Sequence, residues 1–491
     1  MYFKQKSNVM YRNYGDFGYI TDNRNFRYKL KYDNEDEIGD KIVSESGAVF
    51  LQALSRTPQS IDELTKKICN QFTNEDDKII KRDAIEFYTA LEEEGFIISG
   101  ATFEECNEKE ARCFDKKTKC TSKKGMYAKR KLCENTTQDF LNEYFGGEPQ
   151  LTSLHIEVIN KCNERCIHCY IPHDRKTDIM NPNMFYDIVE QAKNMNLLHL
   201  TISGGEPMLH NNFVDFLKLC NEYNFSVSVL SNLTLLNQNI IEEMKKNPLL
   251  CVQVSLYAMD ANIHDAITKK RGSFEKTKAA ILKLVENNIP VQISCPIIKQ
   301  NLDCYKDVIK WAETYNINVN SDYVIIARYD HTVCNLDCRL TMEEIRDIIL
   351  QKIKNNAEYM ESIEKELVMK KRMNPNDYIC SVCQSSICIS ENGKVYPCAG
   401  WQEYVVGNIN EEKLSDIWNN SERIKYLRNL RRRDFRQCVN CSEKEFCTMC
   451  MVRNANEHPQ GDPLEVNKFF CKVAKLNKDI YEIKLREMNK K

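Results

Sequence analysis

Three cysteines near the middle of the chain have a spacing that suits a metal cluster. Three residues separate Cys162 from Cys166, and two separate Cys166 from Cys169. Such a group can give an iron–sulfur cluster three thiolate ligands and leave one iron without a protein ligand. A closed cluster can only pass electrons, whereas an open iron can also bind a substrate or cofactor. The spacing therefore indicates a site where redox chemistry is performed on a bound molecule.

Strand and helix patterns alternate around these cysteines. Residues 153–159 predict a half-buried strand that ends just before Cys162, and the active sites of α/β barrels lie at such strand ends. Further strand patterns, separated by helical ones, cover residues 198–203, 226–230, 251–256, 291–298 and 323–327. This alternation predicts an α/β fold with a mostly parallel sheet. Periodicity alone does not separate a partial barrel from a doubly wound open sheet.

The tetrapeptide Gly-Gly-Glu-Pro occurs twice, at residues 146–149 and 204–207. The first copy lies in a polar connector before the cysteines, so we expect a turn there. The second copy closes the predicted strand over residues 198–203, which would be the next strand of the sheet. Only the second copy is therefore expected to lie beside the cysteines.

The cysteine run and the second tetrapeptide together resemble the radical S-adenosylmethionine (SAM) superfamily. The resemblance implies that Cys162, Cys166 and Cys169 hold a [4Fe–4S] cluster whose free iron is chelated by SAM. It also implies six βα units that form a partial (β/α)6 barrel. The residue before the third cysteine is usually aromatic in that family, and here it is His168. Spacing alone leaves open a zinc knuckle or buried free thiols.

Five residues near the second tetrapeptide and the later strands are the implied SAM contacts. Gly204 and Gly205 would let the backbone approach the ligand, and the Glu206 carboxylate would face the SAM ammonium group. Ser255 ends a predicted strand where family members often place a hydroxyl on the SAM ribose. Asn232 lies in a Ser-Asn pair that resembles the family's Thr-Asn turn. Helix caps and turns are the alternative roles for these polar residues.

A second dense set of cysteines lies in the carboxyl-terminal third. It resembles the SPASM extension of radical SAM enzymes, which implies two auxiliary [4Fe–4S] clusters and so three clusters in all. The family's ligation, carried over by position, gives the first auxiliary cluster Cys383, Cys398 and Cys450, with Cys380 as the expected fourth ligand and Cys388 as the alternative. The second would be held by Cys438, Cys441, Cys447 and Cys471. Paired zinc ribbons are the alternative.

The spacing before Cys450 departs from the SPASM pattern. Two residues precede Cys450 where the family usually has three. If Cys380 is not a ligand, the first auxiliary cluster has an open iron for a substrate thiolate. The surrounding sequence is polar, so metal clusters would replace a hydrophobic core as its organiser.

The amino-terminal hundred residues predict a winged-helix-like module. A hairpin pattern over residues 11–30 is followed by helical patterns over 48–54, 61–71 and 81–94 and by a short strand. The order resembles the recognition element of radical SAM enzymes that modify ribosomally made peptides, in which a leader peptide adds a strand. A purely structural or DNA-binding winged helix is the alternative, and the acidic run at residues 34–37 disfavours DNA.

The chain of 491 residues exceeds one ordinary domain. We predict a leader-recognition module at 1–100, a linker at 101–150, the radical SAM barrel at 151–340, a bridging segment at 341–379, the SPASM domain at 380–475 and a charged tail at 476–491. A net charge of -2 gives no reason to expect binding to nucleic acid or membrane. Without an apolar targeting or spanning segment, and with 23 cysteines, the chain is expected in the reducing cytoplasm.

The family resemblance implies an enzyme that generates a 5′-deoxyadenosyl radical and modifies a precursor peptide. A cysteine thioether crosslink is the leading product, and a ferredoxin or flavodoxin is the expected electron donor. One alternative is a sulfatase-maturing enzyme that forms formylglycine, and another is a non-enzymatic zinc-binding protein. The arginine-rich run over residues 428–436 predicts a solvated helix face or, second, a surface for an acidic partner.

Overall fold

The computed structural model describes residues 1–23, 39–72, 76–114, 141, 144–175, 177–355, 360, 363, 364, 367, 368, 374–380 and 382–488. The amino-terminal strands are β1 (Tyr2–Gln5), β2 (Met10–Asn13), β3 (Phe17–Thr21), β4 (Asp40–Ser44), β5 (Gln59–Ser60) and β6 (Ile97–Gly100). The helices of this part are α1 (Glu45–Ala53), α2 (Ile61–Cys69), α3 (Asp77–Glu93) and α4 (Phe103–Phe114).

The amino-terminal strands form two small antiparallel sheets. In one, β3 lies between β2 and β4, and in the other β1 lies between β5 and β6. The predicted hairpin is tighter than residues 11–30, because β2 pairs Met10 with Thr21, and residues 24–38 lie outside the described part. Helices α1 to α3 then pack on a core that includes Phe3, Leu64 and Tyr88. The strands β2 and β3 thus precede the three helices, and β6 follows them.

Six parallel strands form the centre of the molecule. They are β7 (Ser153–Ile159), β8 (His199–Gly204), β9 (Ser226–Ser231), β10 (Leu250–Ser255), β11 (Val291–Ser294) and β12 (Asn318–Asn320), paired in chain order. The helices between them are α5 (Pro182–Asn194), α6 (Phe213–Glu222), α7 (Gln238–Lys246), α8 (Ala261–Thr268), α9 (Ser273–Glu286) and α10 (Tyr305–Thr314). The sheet does not close on itself, which confirms an α/β fold with a partial barrel.

The last barrel strand is not where the sequence predicts it. Asn318–Asn320 pairs with β11, whereas residues 323–327 have no strand partner among the described residues. The structure does bury the alternating apolar side chains of this segment, Ile325 and Ala327. However, the carbonyls of Ile325 and Ala327 accept hydrogen bonds from Arg339 and Asn456 side chains. Side-chain donors therefore supply the hydrogen bonds that these backbone carbonyls would otherwise accept from a neighbouring strand.

The carboxyl-terminal part continues the central sheet. Its strands are β13 (Ser386–Ile389), β14 (Lys394–Tyr396) and β15 (Gly407–Asn408), and β13 pairs parallel with β7. The order of the nine strands is β12-β11-β10-β9-β8-β7-β13-β14-β15. The helices are α11 (Met342–Asn355), α12 (Leu414–Asn420), α13 (Glu422–Asn429), α14 (Arg436–Val439), α15 (Met451–Glu457) and α16 (Lys468–Met488). The cysteine-rich region is therefore joined to the barrel by backbone hydrogen bonds.

Helices lie at the start of the predicted linker and across the predicted start of the tail. Helix α4 occupies the start of the predicted linker and returns to the amino-terminal module, where Glu110 pairs with Lys4 at 2.5 Å. Helix α16 runs across residue 475, where the predicted tail begins. Within the described residues, no helix is both long enough and apolar enough to cross a membrane.

Candidate active site

The three-cysteine loop follows the carboxyl end of β7, as the sequence predicts. Cys162, Cys166 and Cys169 are each partly exposed on it. Two backbone hydrogen bonds attach the loop to the end of α8, from Arg165 to the Thr268 carbonyl at 2.9 Å and from Ile167 to the Ile267 carbonyl at 3.0 Å. The loop is therefore held on its outer side while its thiols remain available.

The electrostatics of the loop suit a cationic centre. Burial raises the pKa of Cys166 well above its usual range, and the charges of Glu164, Cys169 and Cys162 raise it further. Three thiolates at such short range repel one another unless a cation compensates them. Soft thiolate donors select iron–sulfur clusters or zinc. The donor set and its crowding fit a bound metal cluster.

The second Gly-Gly-Glu-Pro copy packs closely against this loop and is hydrogen-bonded to it. The backbone N–H of Gly205 donates to the Ile159 carbonyl at 2.7 Å, and that of Glu206 donates to the Lys161 carbonyl at 2.9 Å. A Cβ added at Gly204 would lie 1.9 Å from the Ile159 oxygen, and one at Gly205 would lie 2.1 Å from the Lys161 oxygen. The glycines are thus required by close approach to the cysteine loop.

Gly205→Ala is expected to displace the cysteine loop, because an added Cβ cannot be accommodated 2.1 Å from backbone. The reconstituted variant should lose about one third of its iron, one cluster of three, while staying folded. The matched control is Gly147→Ala in the first copy, where nothing lies within 4 Å of an added Cβ, so that only the local backbone strain of its left-handed φ of 80° is added. Iron analysis and absorbance would check both variants, and full iron content in Gly205→Ala would contradict this account of the loop.

The Glu206 carboxylate organises the neighbouring turn. It is fully buried and accepts hydrogen bonds from the Met208 N–H at 3.0 Å, the Ser231 hydroxyl at 2.8 Å and the Asn232 N–H at 2.8 Å. Burial raises the pKa of Glu206 to about 7, and these donors act in the opposite direction. A carboxylate has about four acceptor positions, so one remains for a further donor.

Asn232 connects this turn to the cysteine loop. Its amide donates to the Asn163 side chain at 2.8 Å and lies 3.9 Å from the Cys162 sulfur. Ser255 lies at the end of β10 and hydrogen-bonds to Tyr257, whose hydroxyl is 3.8 Å from the Cys166 sulfur. The structure therefore brings all five predicted SAM-contact residues to the carboxyl ends of β8, β9 and β10. Asn163 and Tyr257 were not predicted from the sequence.

A cluster of polar side chains on β7 and β13 was also not predicted from the sequence. His155 and Glu157 alternate with buried apolar residues along β7, and β13 places Cys388 directly beside His155. The ligating atoms of these three residues lie within 4.8 Å of one another. Burial lowers the pKa of His155 to about 4, so the ring is neutral, and its Nε2 meets the Ser203 hydroxyl. Alternation along β7 was the only sequence signal for this cluster.

Glu157 lies between the two predicted cluster regions. The Tyr170 hydroxyl donates to it at 3.1 Å, and the Gln402 amide donates to its other oxygen. Tyr170 follows Cys169 directly, and Gln402 lies four residues after Cys398. Burial raises the pKa of Glu157 to about 7, although both hydrogen bonds oppose that rise. A carboxylate with this pKa can take up or release a proton near neutral pH.

Four cysteines gather at the first predicted auxiliary site. Burial is the main cause that raises the pKa values of Cys380, Cys383 and Cys398, and repulsion among the thiolates of these residues and Cys450 adds to it. Cys388 is fully buried beside Glu157, on the barrel side of Cys398. Cys450 acts on both Cys380 and Cys398, and Cys388 also feels the charge of Cys398, so Cys380 stays the expected fourth ligand and Cys388 the alternative.

The second predicted auxiliary site is a cavity of about 70 Å³ with five cysteines in its wall, Cys438, Cys441, Cys447, Cys450 and Cys471. Burial raises the pKa of Cys438 to about 11, and the charges of Cys447, Cys471 and Cys441 add to the rise. Cys450 thus lies at both auxiliary groups, whereas Cys471 is exposed at the surface. The thiol donors and the cavity fit a second cluster.

The arginine-rich run is not a solvated helix face. Arg428 stacks on Trp418 at 4.1 Å and donates to the Cys383 carbonyl at 2.7 Å. Arg431 stacks on Tyr378, also at 4.1 Å, and Arg433 donates to the Asn376 side chain at 2.6 Å. These arginines hold the segment that carries Cys380 and Cys383, so most of their charge is used within the fold.

Comparison with known proteins agrees with this geometry. Residues 156–312 match the radical SAM superfamily, and residues 380–450 match SPASM, an iron–sulfur cluster-binding domain. A tungsten-containing aldehyde ferredoxin oxidoreductase cofactor-modifying protein from Pyrococcus furiosus is 25% identical, over 60% of this chain and 88% of its own length. The subtilosin biosynthesis protein AlbA from Bacillus subtilis is 23% identical, over 62% of this chain and 67% of its own.

Among solved structures, Streptococcus suis SuiB bound to its precursor peptide SuiA has a TM-score of 0.58 at 14% identity. The similarity covers 94% of this chain and 98% of SuiB, so the shared fold includes the amino-terminal module. These matches favour iron–sulfur clusters over the zinc alternatives, because both matched domains are iron–sulfur domains and their cysteines lie together in the groups described above. Residues 156–312 therefore form a radical SAM domain and residues 380–450 a SPASM domain, which together imply a SAM-binding [4Fe–4S] cluster and auxiliary clusters.

Proposed function

We propose that this chain modifies a ribosomally made precursor peptide and forms a thioether between a peptide cysteine and a carbon atom. The observation that carries the proposal is the combination, in one fold, of the SAM site, two auxiliary cysteine groups and an amino-terminal groove beside a strand edge. AlbA and SuiB, which resemble this chain, are by name a bacteriocin biosynthesis protein and a protein bound to a precursor peptide. The enzyme would act in the reducing cytoplasm, where free thiols persist.

The amino-terminal groove supports recognition of a leader peptide. It lies between β4, α1 and α3, has a volume of about 390 Å³ and includes Phe50, Phe87 and Ala90 in its wall. Among the described residues, β4 pairs only with β3, so its other edge can accept an added strand. Backbone hydrogen bonds would then give affinity, and the apolar wall would accept alternate side chains of the leader.

The residues at the strand ends would position SAM against the peptide. When bound, the [4Fe–4S] cluster and SAM supply a 5′-deoxyadenosyl radical that abstracts hydrogen from a carbon. We assign the cluster to Cys162, Cys166 and Cys169. The remaining acceptor position of Glu206 suits the SAM ammonium group, Ser255 suits the ribose, and Gly204, Gly205 and Asn232 hold the surrounding backbone.

The peptide cysteine would bind inside the barrel, beside Glu157. With Cys380 as the fourth ligand of the first auxiliary group, no position there remains for a peptide thiolate. The peptide thiol must then be held and deprotonated by side chains of the chain itself. We assign this role to Glu157, because it lies between the loop of Cys169 and the loop of Cys398 and can accept a proton near neutral pH.

Incubation with peptides encoded beside the gene would test the function. We expect a mass loss of two hydrogen atoms, with fragmentation that keeps the peptide sulfur and shows a link between a cysteine and another residue. Formylglycine formation on cysteine would instead remove the sulfur. A product without sulfur, or no product from any such peptide with active SAM cleavage, would contradict the proposal.

A further inference from the structure

One exposed patch of positive charge lies directly on the outer side of the three-cysteine loop. We call it the loop patch, and it consists of Arg165, Lys269, Lys270 and Arg271. All four side chains are exposed. In the described part of the chain, none of the ion pairs involves these four side chains. The patch is therefore positive charge that the fold itself does not use.

Backbone contacts make the patch continuous. Arg165 lies between Cys162 and Cys166, and its N–H donates to the Thr268 carbonyl at 2.9 Å. The chain then leaves α8 through Lys269, which has a left-handed φ of 56°. These contacts bring Lys269, Lys270 and Arg271 next to Arg165, which directly precedes the predicted cluster ligand Cys166.

The nearest acidic side chains do not cancel this charge. Glu164 is buried beneath the loop. Asp265 caps the next helix, where its carboxylate accepts hydrogen bonds from the Ser273 hydroxyl and the Phe274 N–H, both at 2.9 Å, and from the Gly272 N–H. Outward-facing charge of one sign attracts an oppositely charged protein and raises its association rate.

We propose that the loop patch is the docking surface for a small acidic one-electron carrier protein of the ferredoxin or flavodoxin class. The reduced carrier loses one electron, and the centre held by Cys162, Cys166 and Cys169 gains it; no bond forms and no proton moves. The proposal rests on the radical SAM assignment, since SAM cleavage needs that electron, and is independent of which peptide is modified. Because Arg165 directly precedes Cys166, the electron would cross only this one loop between the docked carrier and the cluster.

A second surface offers the alternative entry point. Lys468, Lys472 and Lys475 are exposed on one face of α16, beside the exposed Cys471 of the second auxiliary group. Acidic residues lie close to this face, since Glu443 is 3.7 Å from Lys478. An electron entering there would have to pass both auxiliary groups before it reaches the SAM site. This lysine face supplies a matched control.

The test compares K269E/K270E/R271E with K468E/K472E/K475E, which changes the net charge equally at the other surface. The reconstituted holoenzymes are mixed with reduced acidic flavodoxin in a stopped-flow instrument, without peptide, and cluster reduction is followed by absorbance. We expect the first variant to be reduced about tenfold more slowly than wild type at low salt, and the second to differ by less than about twofold. Salt should slow the wild type and speed the first variant, because it screens attraction in the one and repulsion between the reversed patch and the acidic carrier in the other.

Two further measurements separate docking from damage to the site. Dithionite should reduce all three proteins at equal rates, because a small reductant does not need the patch. Calorimetry with oxidised flavodoxin should show weaker binding only for the first variant. Equal reduction of the first variant and wild type by flavodoxin would overturn the proposal, as would a larger loss in the lysine-face variant. Peptide is absent, so failure of the thioether proposal would leave these results unchanged.

Discussion

Changing Cys162, Cys166 and Cys169 together to Ala is expected to abolish formation of 5′-deoxyadenosine from SAM. The three thiols are the only predicted ligands on the loop after β7, and the Gly204–Gly205 backbone packs against that loop. Without them, no open iron remains to bind SAM. The variant should keep about two thirds of the iron of wild type, because the two auxiliary groups lie on other segments.

The matched control for this variant changes three thiols that belong to no cluster group. Cys69, Cys304 and Cys334 are free thiols outside the three sites, and their replacement by Ala should leave iron content and SAM cleavage unchanged. Chromatographic detection of 5′-deoxyadenosine and iron analysis on the same samples would check both variants. Continued SAM cleavage by the loop variant would show that the SAM site has been assigned wrongly.

Glu157→Gln is expected to slow peptide modification by about a hundredfold, the usual size of a lost general base. The amide keeps the shape that Tyr170 and Gln402 contact, but it cannot accept a proton. Formation of 5′-deoxyadenosine without peptide should change by less than about twofold, because Glu157 is not among the SAM contacts. The loss should therefore be specific to the step that consumes the peptide thiol.

The pH dependence gives this prediction its sharpest form. Burial raises the pKa of Glu157 to about 7, so the carboxylate is ionised above that pH and protonated below it. Wild-type peptide modification should fall as the pH is lowered through 7, whereas the residual rate of Glu157→Gln should not follow that profile. Glu157→Asp should restore part of the rate and the pH dependence. A Gln variant with the wild-type profile would assign the titrating group elsewhere.

Features that depend on neighbouring residues were predictable from sequence. The spacing of Cys162, Cys166 and Cys169 reflects one loop, and the alternation over residues 153–159 reflects one strand, so both are encoded locally. The two Gly-Gly-Glu-Pro copies were separable because one follows a strand pattern and the other does not. The first forms a turn with positive φ at Gly146 and Gly147, as expected.

Features that depend on distant segments were not predictable. Gln402 reaches Glu157 across 245 residues of sequence, and only the pairing of β13 with β7 brings their regions together. The strand predicted over residues 323–327 failed for a related reason, since donors from Arg339 and Asn456 replace a strand partner there. The stacking of Arg428 likewise depends on Trp418, whose position no charge pattern reveals.

The continuous ladder from β7 to β13 has a mechanical consequence. Residues 386–389 pair with residues 153–156, so separating the two regions would break a row of backbone hydrogen bonds in the middle of one sheet. No hinge can open there at modest cost. The radical source and the first auxiliary group must stay at a fixed separation throughout turnover. A peptide bound between these two groups would therefore have to adapt its own conformation to a fixed span.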